Sequence, residues 1–234
     1  MVLKFYSFIF CILLHSTFQA QNLDHSLWTN FLEKHVSDEG NVNYKTIKTN
    51  PESLNSYIQN VSKSIPDESW SKNETLAYWI NAYNALTIDL ILRNYPIKSI
   101  KDIKKPWQQR LWKLGEKWYN LDDIEHQILR KMDEPRIHFA IVCASVSCPK
   151  LLNEAYSADK LEHQLTKATR DFLSDHSKNS ISEKSLELSK IFKWFSSDFT
   201  KSSSLINFLN LYSDIQISEN ATIKFKDYNW KLNE

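Results

Sequence analysis

The chain has 234 residues, 42% of them hydrophobic, with 29 basic side chains against 28 acidic ones. That length and apolar content suffice for one packed domain and exclude global disorder. The near-zero charge gives no electrostatic case for nucleic acid or an anionic membrane as partner. Glycine occurs only 2 times, which excludes a glycine-rich phosphate loop or dinucleotide fingerprint.

Residues 1–20 carry Lys4 as their only charge, then an apolar run over residues 5–14, then a short polar stretch ending at Ala20. This layout predicts a secretory signal peptide, too short in its apolar part for a comfortable transmembrane helix. Its removal would take one base and no acid, leaving a neutral chain in residues 21–234. The expected location is secreted or cell envelope (the periplasm in a bacterium), with no transmembrane segment after processing. Export also permits oxidation of the two remaining cysteines, Cys143 and Cys148.

In chain order, Leu27, Phe31, Leu32 and Val36 recur at helical spacing, and Asp38-Glu-Gly-Asn41 makes a turn before a short extended piece at residues 42–44. Leu54, Tyr57, Ile58 and Val61 mark a second amphipathic helix. The strongest helix spans residues 72–94: Ser71 and Glu74 form a capping box, Pro96 lies beyond the end, and apolar residues surround it almost entirely. It is expected to be central and buried. Asn81 and Asn84 share one of its faces and need partners there, either as braces for neighbouring backbone or as orienters of a catalytic or binding group. Residues 99–115 form a connection, 117–121 a short strand, and 122–130 a helix on which His126 reads as a solvated surface histidine.

Residues 137–143 are dense in Ile, Phe and Val and predict a buried strand. Pro149 is expected to open a helical turn. A helix follows over about 157–173, a hairpin turns near Glu183-Lys184, and aromatic residues crowd 191–195. A last helix is expected at 205–212, with strands at 215–217 and 222–230. Asn60, Asn73 and Asn220 lie in N-x-S/T triplets that matter only where exported proteins are glycosylated.

The stretch Arg136-Ile-His-Phe-Ala-Ile-Val-Cys-Ala-Ser-Val-Ser-Cys-Pro149 concentrates the reactive side chains. On an unbroken strand His138 and Cys143 face apart, which argues against a direct pair. Cys148, at the start of a helical turn, is the thiol better placed for a lowered pKa. The small residues Ala144, Ser145 and Ser147 leave backbone N–H groups accessible, as an oxyanion site requires. Three readings stay open: a Cys143–Cys148 disulfide that staples strand to helix, a cysteine nucleophile with a histidine base and an Asn or Asp orienter, or two thiols buried as small hydrophobes. Metal binding is not expected, because C-x4-C lacks a second ligand pair, and no G-x-S-x-G motif supports a serine nucleophile. No cofactor is expected.

The run from His138 to Pro149 resembles the central motif of the family "domain of unknown function 547". So do Gly40-Asn-Val-Asn-Tyr44, Trp79-Ile-Asn-Ala-Tyr-Asn-Ala-Leu-Thr87, Ile124-Glu-His-Gln-Ile-Leu-Arg130, Leu188-Ser-Lys-Ile-Phe-Lys-Trp194 with Asp198-Phe199, and Tyr228-Asn-Trp-Lys-Leu-Asn233. These stretches fall in order over most of residues 40–233. The resemblance implies one domain and supplies no activity. Its motif positions are Asn81, Tyr83, Asn84, Glu125, Arg130, Arg136, His138, Cys143, Ser147, Cys148 and Pro149. Ala144 stands where members often have glycine, so a loop needing positive φ would be strained there. Lys150 stands where a proline is frequent, placing a base near the thiols.

The sequence therefore predicts a helix-rich α+β single domain, with a small mixed β-sheet from residues 137–143, 180–189 and the C-terminal strands around the central helix. The expected activity is a cysteine-dependent hydrolase or acyltransferase, with Cys148 as nucleophile, His138 as base, Asn81 or Asn84 as orienter and Cys143 close by. His126 is the alternative base. Tyr83, Glu125, Arg136, Ser147 and Lys150 are candidate binding residues for a small-molecule or peptide ligand. The competing expectation is a non-catalytic binding module with a structural Cys143–Cys148 disulfide.

Overall fold

The computed structural model describes residues 23–234, so the expected signal segment at 1–20 lies outside the described residues. Helices α1 (Ser26–His35), α2 (Tyr44–Thr49) and α3 (Glu52–Lys63) gather around α4 (Lys72–Asn94). The start of α4 is fixed by the expected capping box: the Ser71 hydroxyl accepts the Glu74 N–H at 3.2 Å and the Glu74 carboxylate accepts the Ser71 N–H at 2.6 Å. Every residue from Leu76 to Leu92 is buried. A helix apolar all round can only sit at the centre of its layer. Among the described residues, no helix is long and apolar enough to cross a membrane.

A hairpin of β1 (Trp112–Leu114) and β2 (Lys117–Tyr119) follows, with Gly115 at φ 57° in its turn and its N–H on the α3 carbonyl of Ser62 at 2.8 Å. Trp112 buries its ring and donates its indole N–H to Asp89 of α4 at 2.6 Å. Helix α5 (Leu161–Ser174) leads into β3 (Ser180–Ile181) and β4 (Ser185–Leu188), then α6 (Ile191–Trp194), α7 (Ser196–Phe199), α8 (Leu205–Asn210) and β5 (Thr222–Phe225). Strand β4 pairs antiparallel with β3 and parallel with β5, a small mixed sheet. Two apolar clusters result, one around α4 and one around Phe139, Phe172, Phe192, Phe199 and Phe208. Helix α5 joins them, with Leu161 and Leu165 in the first and Phe172 and Leu173 in the second. The architecture is the expected helix-rich α+β type.

Residues 137–143 do not form a strand. Pro135–Phe139 is a short 3-10 helix, opened by Pro135 and by the Glu134 carboxylate accepting the Arg136 N–H at 3.2 Å. Asn84 of α4 then accepts the Val142 N–H at 3.0 Å and donates to the Ala140 carbonyl at 2.9 Å. One side-chain amide thus occupies backbone groups that a strand would have offered to a neighbour. The sheet consequently lacks this segment. Residues 215–217 differ for the same reason, because Asn210 pairs with both backbone groups of Ile217 at 2.8 and 3.0 Å. No helical turn follows Pro149, and the segment Asp123–Ile128 is a π-helix that tightens to 3-10 at Leu129–Lys131.

Candidate functional site

Residues 141–148 form a loop fixed from two sides. Asn84 holds its start from beneath. From above, the backbone of residues 229–233 is bonded to it: Val146 N–H to Lys231 O at 2.8 Å, Ser147 N–H to Asn229 O at 3.2 Å, and Asn233 N–H to Ala144 O at 3.3 Å. The Ser147 hydroxyl accepts the Asn229 N–H at 2.8 Å. Ala144 adopts φ 56°, the left-handed conformation expected to be strained for a residue with a Cβ, at a cost of roughly 1–2 kcal/mol. The clamped loop sustains it.

The loop brings two free thiols to a shared pair of hydroxyls. The Cys148 sulfur accepts the Cys143 N–H at 3.0 Å and lies 3.3 Å from the Ser145 Oγ and 3.4 Å from the Tyr228 Oη. The Cys143 sulfur is 3.4 Å from each of the same two oxygens, which are themselves 3.3 Å apart. Burial pushes the Cys148 thiol up, but hydrogen bonds from Cys143, Ser145 and Tyr228 outweigh it and bring it down to about 6. Cys143, hydrogen-bonded to Cys148 and buried beside its charge, moves well up. One proton leaves the pair easily, and the charge resides on Cys148. This activation comes from donors converging on one sulfur, in place of the helix dipole expected from Pro149.

Cys143 and Cys148 form one wall of a cavity of about 250 Å³. His138 also lines it, its ring stacked on Phe195 at 4.0 Å and its Nε2 bonded to Asp198 Oδ2 at 2.8 Å. Asp198 also receives a two-pronged contact from Arg130, at 2.6 and 2.8 Å, and Arg130 donates to His126 Nδ1 at 3.1 Å. Burial is the main cause that holds His138 and His126 below the usual histidine range. Asp198 is likewise pushed up by burial, but its bonds to Arg130 and His138 hold it well below the carboxylate range. Asp198 therefore accepts from a protonated Nε2, and neutral His138 keeps its lone pair on Nδ1. That nitrogen has no hydrogen-bond partner among the described residues, and no hydrogen bond joins either imidazole to a sulfur. His126 is half-buried and lines the cavity, so it is not the solvated surface residue expected.

Also on the lining, the Tyr83 hydroxyl donates to Glu125 Oε2 at 3.1 Å. Burial pushes the Glu125 carboxyl up to about 7, the Tyr83 bond and the Arg130 charge offsetting part of that. Trp107, Trp194, Tyr228 and Trp230 complete the wall.

Of the candidate residues, Cys143, Cys148, His138, His126, Tyr83 and Glu125 are brought together on this cavity. The others lie outside its lining. Asn81 braces the backbone of Tyr156 through both amide groups at 2.8 and 2.9 Å, as Asn84 braces residues 140 and 142, so neither amide orients an imidazole. Arg136 is a clamp, forked between Glu134 and Glu162 at 2.6–2.8 Å. Ser147 is bonded to Asn229, and the Lys150 stem packs against Gly40. The residues not singled out as site groups are Asp198, Tyr228, Ser145 and the indoles. Asp198 and Tyr228 stood in stretches carrying the family resemblance, but no local spacing ties them to His138 or Cys148, 60 and 80 positions away.

Residues 68–173 match the model of a family described as "Protein of unknown function, DUF547". The matched region holds both thiols, His138, Glu125 and the two bracing asparagines, and ends before Asp198 and Tyr228. No curated protein and no solved structure matches the chain.

Proposed function

We propose that this chain, which resembles a family described without an activity, is a cysteine-dependent enzyme of acyl transfer or hydrolysis with Cys148 as its nucleophile. The observation that carries the reading is the Cys148 sulfur, hydrogen-bonded to three residues at the wall of a cavity. A thiol at about 6 is about nine-tenths thiolate at pH 7, against a few per cent for an ordinary cysteine. It needs no base in contact with it. The sulfur attacks a carbonyl carbon, the leaving group departs with its bonding pair, and a thioester forms. In hydrolysis, water attacks the thioester and passes its proton to Nδ1 of His138, which Asp198 orients; the thiolate then departs. Asp198 thus takes the orienting role expected of Asn81 or Asn84.

The test is iodoacetamide labelling of the pre-reduced, natively folded protein at pH 7, with the modified residue found by peptide mapping. Cys148 is expected to label about two- to threefold faster than a free cysteine, its larger thiolate fraction outweighing the lower nucleophilicity of an acidic thiolate, and Cys143 to lag. An unreactive Cys148, with a Cys143–Cys148 disulfide that re-forms in air, would overturn the reading in favour of a non-catalytic binding module.

The proposal includes export, supported by Lys4 ahead of the apolar run at residues 5–14. N-terminal sequencing of the protein recovered from a secreting host is expected to begin at Gln21; a retained Met1 would refute it.

A further inference from the structure

The cavity beside Cys148 is electrostatically one-sided. Its lining contains the carboxyl groups of Asp122 and Glu125 and, among the described residues, no lysine or arginine. Arg130, a cation close at hand, is taken up by Asp198. Glu125 is only 7% exposed, and one of its oxygens is occupied by Tyr83. The other oxygen, Oε1, receives no hydrogen bond from any described residue, and Glu125 is part of the cavity wall. A buried carboxyl group with an unpaired oxygen calls for a donor from the ligand.

The rim repeats that preference. Trp194, Tyr228 and Trp230 pack on one another with ring centroids 4.6–5.7 Å apart. The Lys101 ammonium, from outside the cavity lining, already sits 4.6 Å over the ring of Trp230. This aromatic cluster therefore holds a cation on a ring face within the protein's own structure. A carboxylate or phosphate would meet Asp122, Glu125 and the Cys148 thiolate in the lining, the Lys101 ammonium at the rim being engaged with Trp230.

We infer that the group exchanged at Cys148 is an amine, taken up as a primary ammonium between Glu125 and the indoles of Trp194 and Trp230. The inference rests on the acyl-transfer reading of Cys148 and names its substrate class: amides of primary amines, or a thioester and an accepting amine. In the forward step the C–N bond breaks as the C–S bond forms. The amine nitrogen keeps the bonding pair and takes the proton of Glu125, leaving a carboxylate. The released amine takes a second proton from solvent and stands as an ammonium against that carboxylate. Transfer to an amine is the reverse sequence. A carboxyl group pushed up to about 7 by burial exchanges its proton readily near neutrality, as this role requires.

Three probes of one shape separate the alternatives: the methylamides of N-acetyl-lysine, N-acetyl-norleucine and N-acetyl-glutamate. Binding is read by tryptophan fluorescence, since Trp107, Trp194 and Trp230 line the cavity, in wild type and in Cys148→Ala. The lysine probe is expected to bind about tenfold more tightly than norleucine, as one desolvated charge-assisted contact provides, and glutamate more weakly than both. Glu125→Gln keeps an acceptor for Tyr83 and is expected to remove most of that preference. Trp194→Ala, at a side chain 45% exposed and so safe for folding, is expected to weaken the lysine probe about threefold or more. Equal binding of lysine and norleucine probes, or a preference that survives Glu125→Gln, would overturn the inference. If that happens while iodoacetamide still labels Cys148 rapidly, the amine assignment falls and the nucleophile stands. If the lysine preference holds while Cys148 is inert, the exchange chemistry falls and an ammonium-binding cavity remains.

Discussion

Replacing Tyr228 by phenylalanine removes one oxygen and leaves the ring in its packing against Trp194 and Trp230, at 4.8 and 4.6 Å. That oxygen lies 3.4 Å from the Cys148 sulfur and from the Cys143 sulfur alike. A hydrogen bond to a charged group contributes about 1.5–3 kcal/mol, and a long contact to sulfur falls at the low end, so the thiolate loses about 1.4 kcal/mol, or one pKa unit. The first ionisation of the pair should then move from about 6 to roughly 7. Two consequences oppose each other. Below pH 6 the thiolate fraction falls about tenfold, yet a more basic thiolate is intrinsically a better nucleophile, by about threefold per unit. Reaction with methyl methanethiosulfonate, quenched in acid and counted by mass, should therefore be about three- to fourfold slower than wild type at pH 5 and about threefold faster at pH 9. The two pH–rate profiles cross between these limits. Superimposed profiles, or a variant slower by the same factor at every pH, would refute the assignment of Tyr228 as a donor to the thiolate.

Other consequences can be measured without a substrate. Asn84→Ala strands the Ala140 carbonyl and Val142 N–H in the interior and should cost about 2–5 kcal/mol, read as a lower urea midpoint at unchanged slope. Asp198→Asn should destabilise by about 2 kcal/mol at pH 7. The folded carboxyl is held below its unfolded value, so its contribution is present above about pH 4 and is lost as pH falls through the folded value; the gap from wild type should shrink at pH 3, and a pH-independent gap would count against the Arg130–Asp198–His138 chain. Arg136→Lys abandons the fork between Glu134 and Glu162 and should lower stability by about 1–3 kcal/mol while leaving Cys148 labelling unchanged; a slowed label would place Arg136 in the site after all.

Where the chain's own periodicity and capping determine structure, the sequence was a good guide. Helix α4 was legible to both ends because Ser71, Glu74 and Pro96 act locally and its burial follows from composition. The β3–β4 hairpin and the central place of the cysteine stretch were legible for similar reasons. What escaped was the work of side-chain amides. Asn84, Asn210, Asn81 and Asn179 each pair with backbone of another segment on both amide groups, and two of these segments, around residues 141 and 216, carry the β-branched composition of strands. Propensity at residues 137–143 measured suitability for a buried surface, which the segment does occupy, without the ladder that a strand requires. His138 and Cys143 would face apart only on that ladder. Once the segment turns as a 3-10 helix and a loop, both side chains reach one cavity. Asp198 and Tyr228 escaped because their roles exist only after the chain has returned across the loop.

The backbone of residues 229–233 lying on the cysteine loop has a temporal consequence. The Cys143 N–H and the Ser145 hydroxyl are local to Cys148 and arrive as soon as the loop turns. The Tyr228 hydroxyl, the bonds that hold Val146 and Ser147, and the bridge of Ser145 to Leu232 come from chain made some 80 residues later. Until residues 228–233 dock, the loop lacks its upper clamp and the sulfur lacks one of its donors. Loop closure over such a span is slow to be repaid by contacts. The nascent polypeptide thus carries a more weakly acidic cysteine. Full acidity therefore requires the same stretch that supplies Tyr228 and Trp230 to the cavity wall.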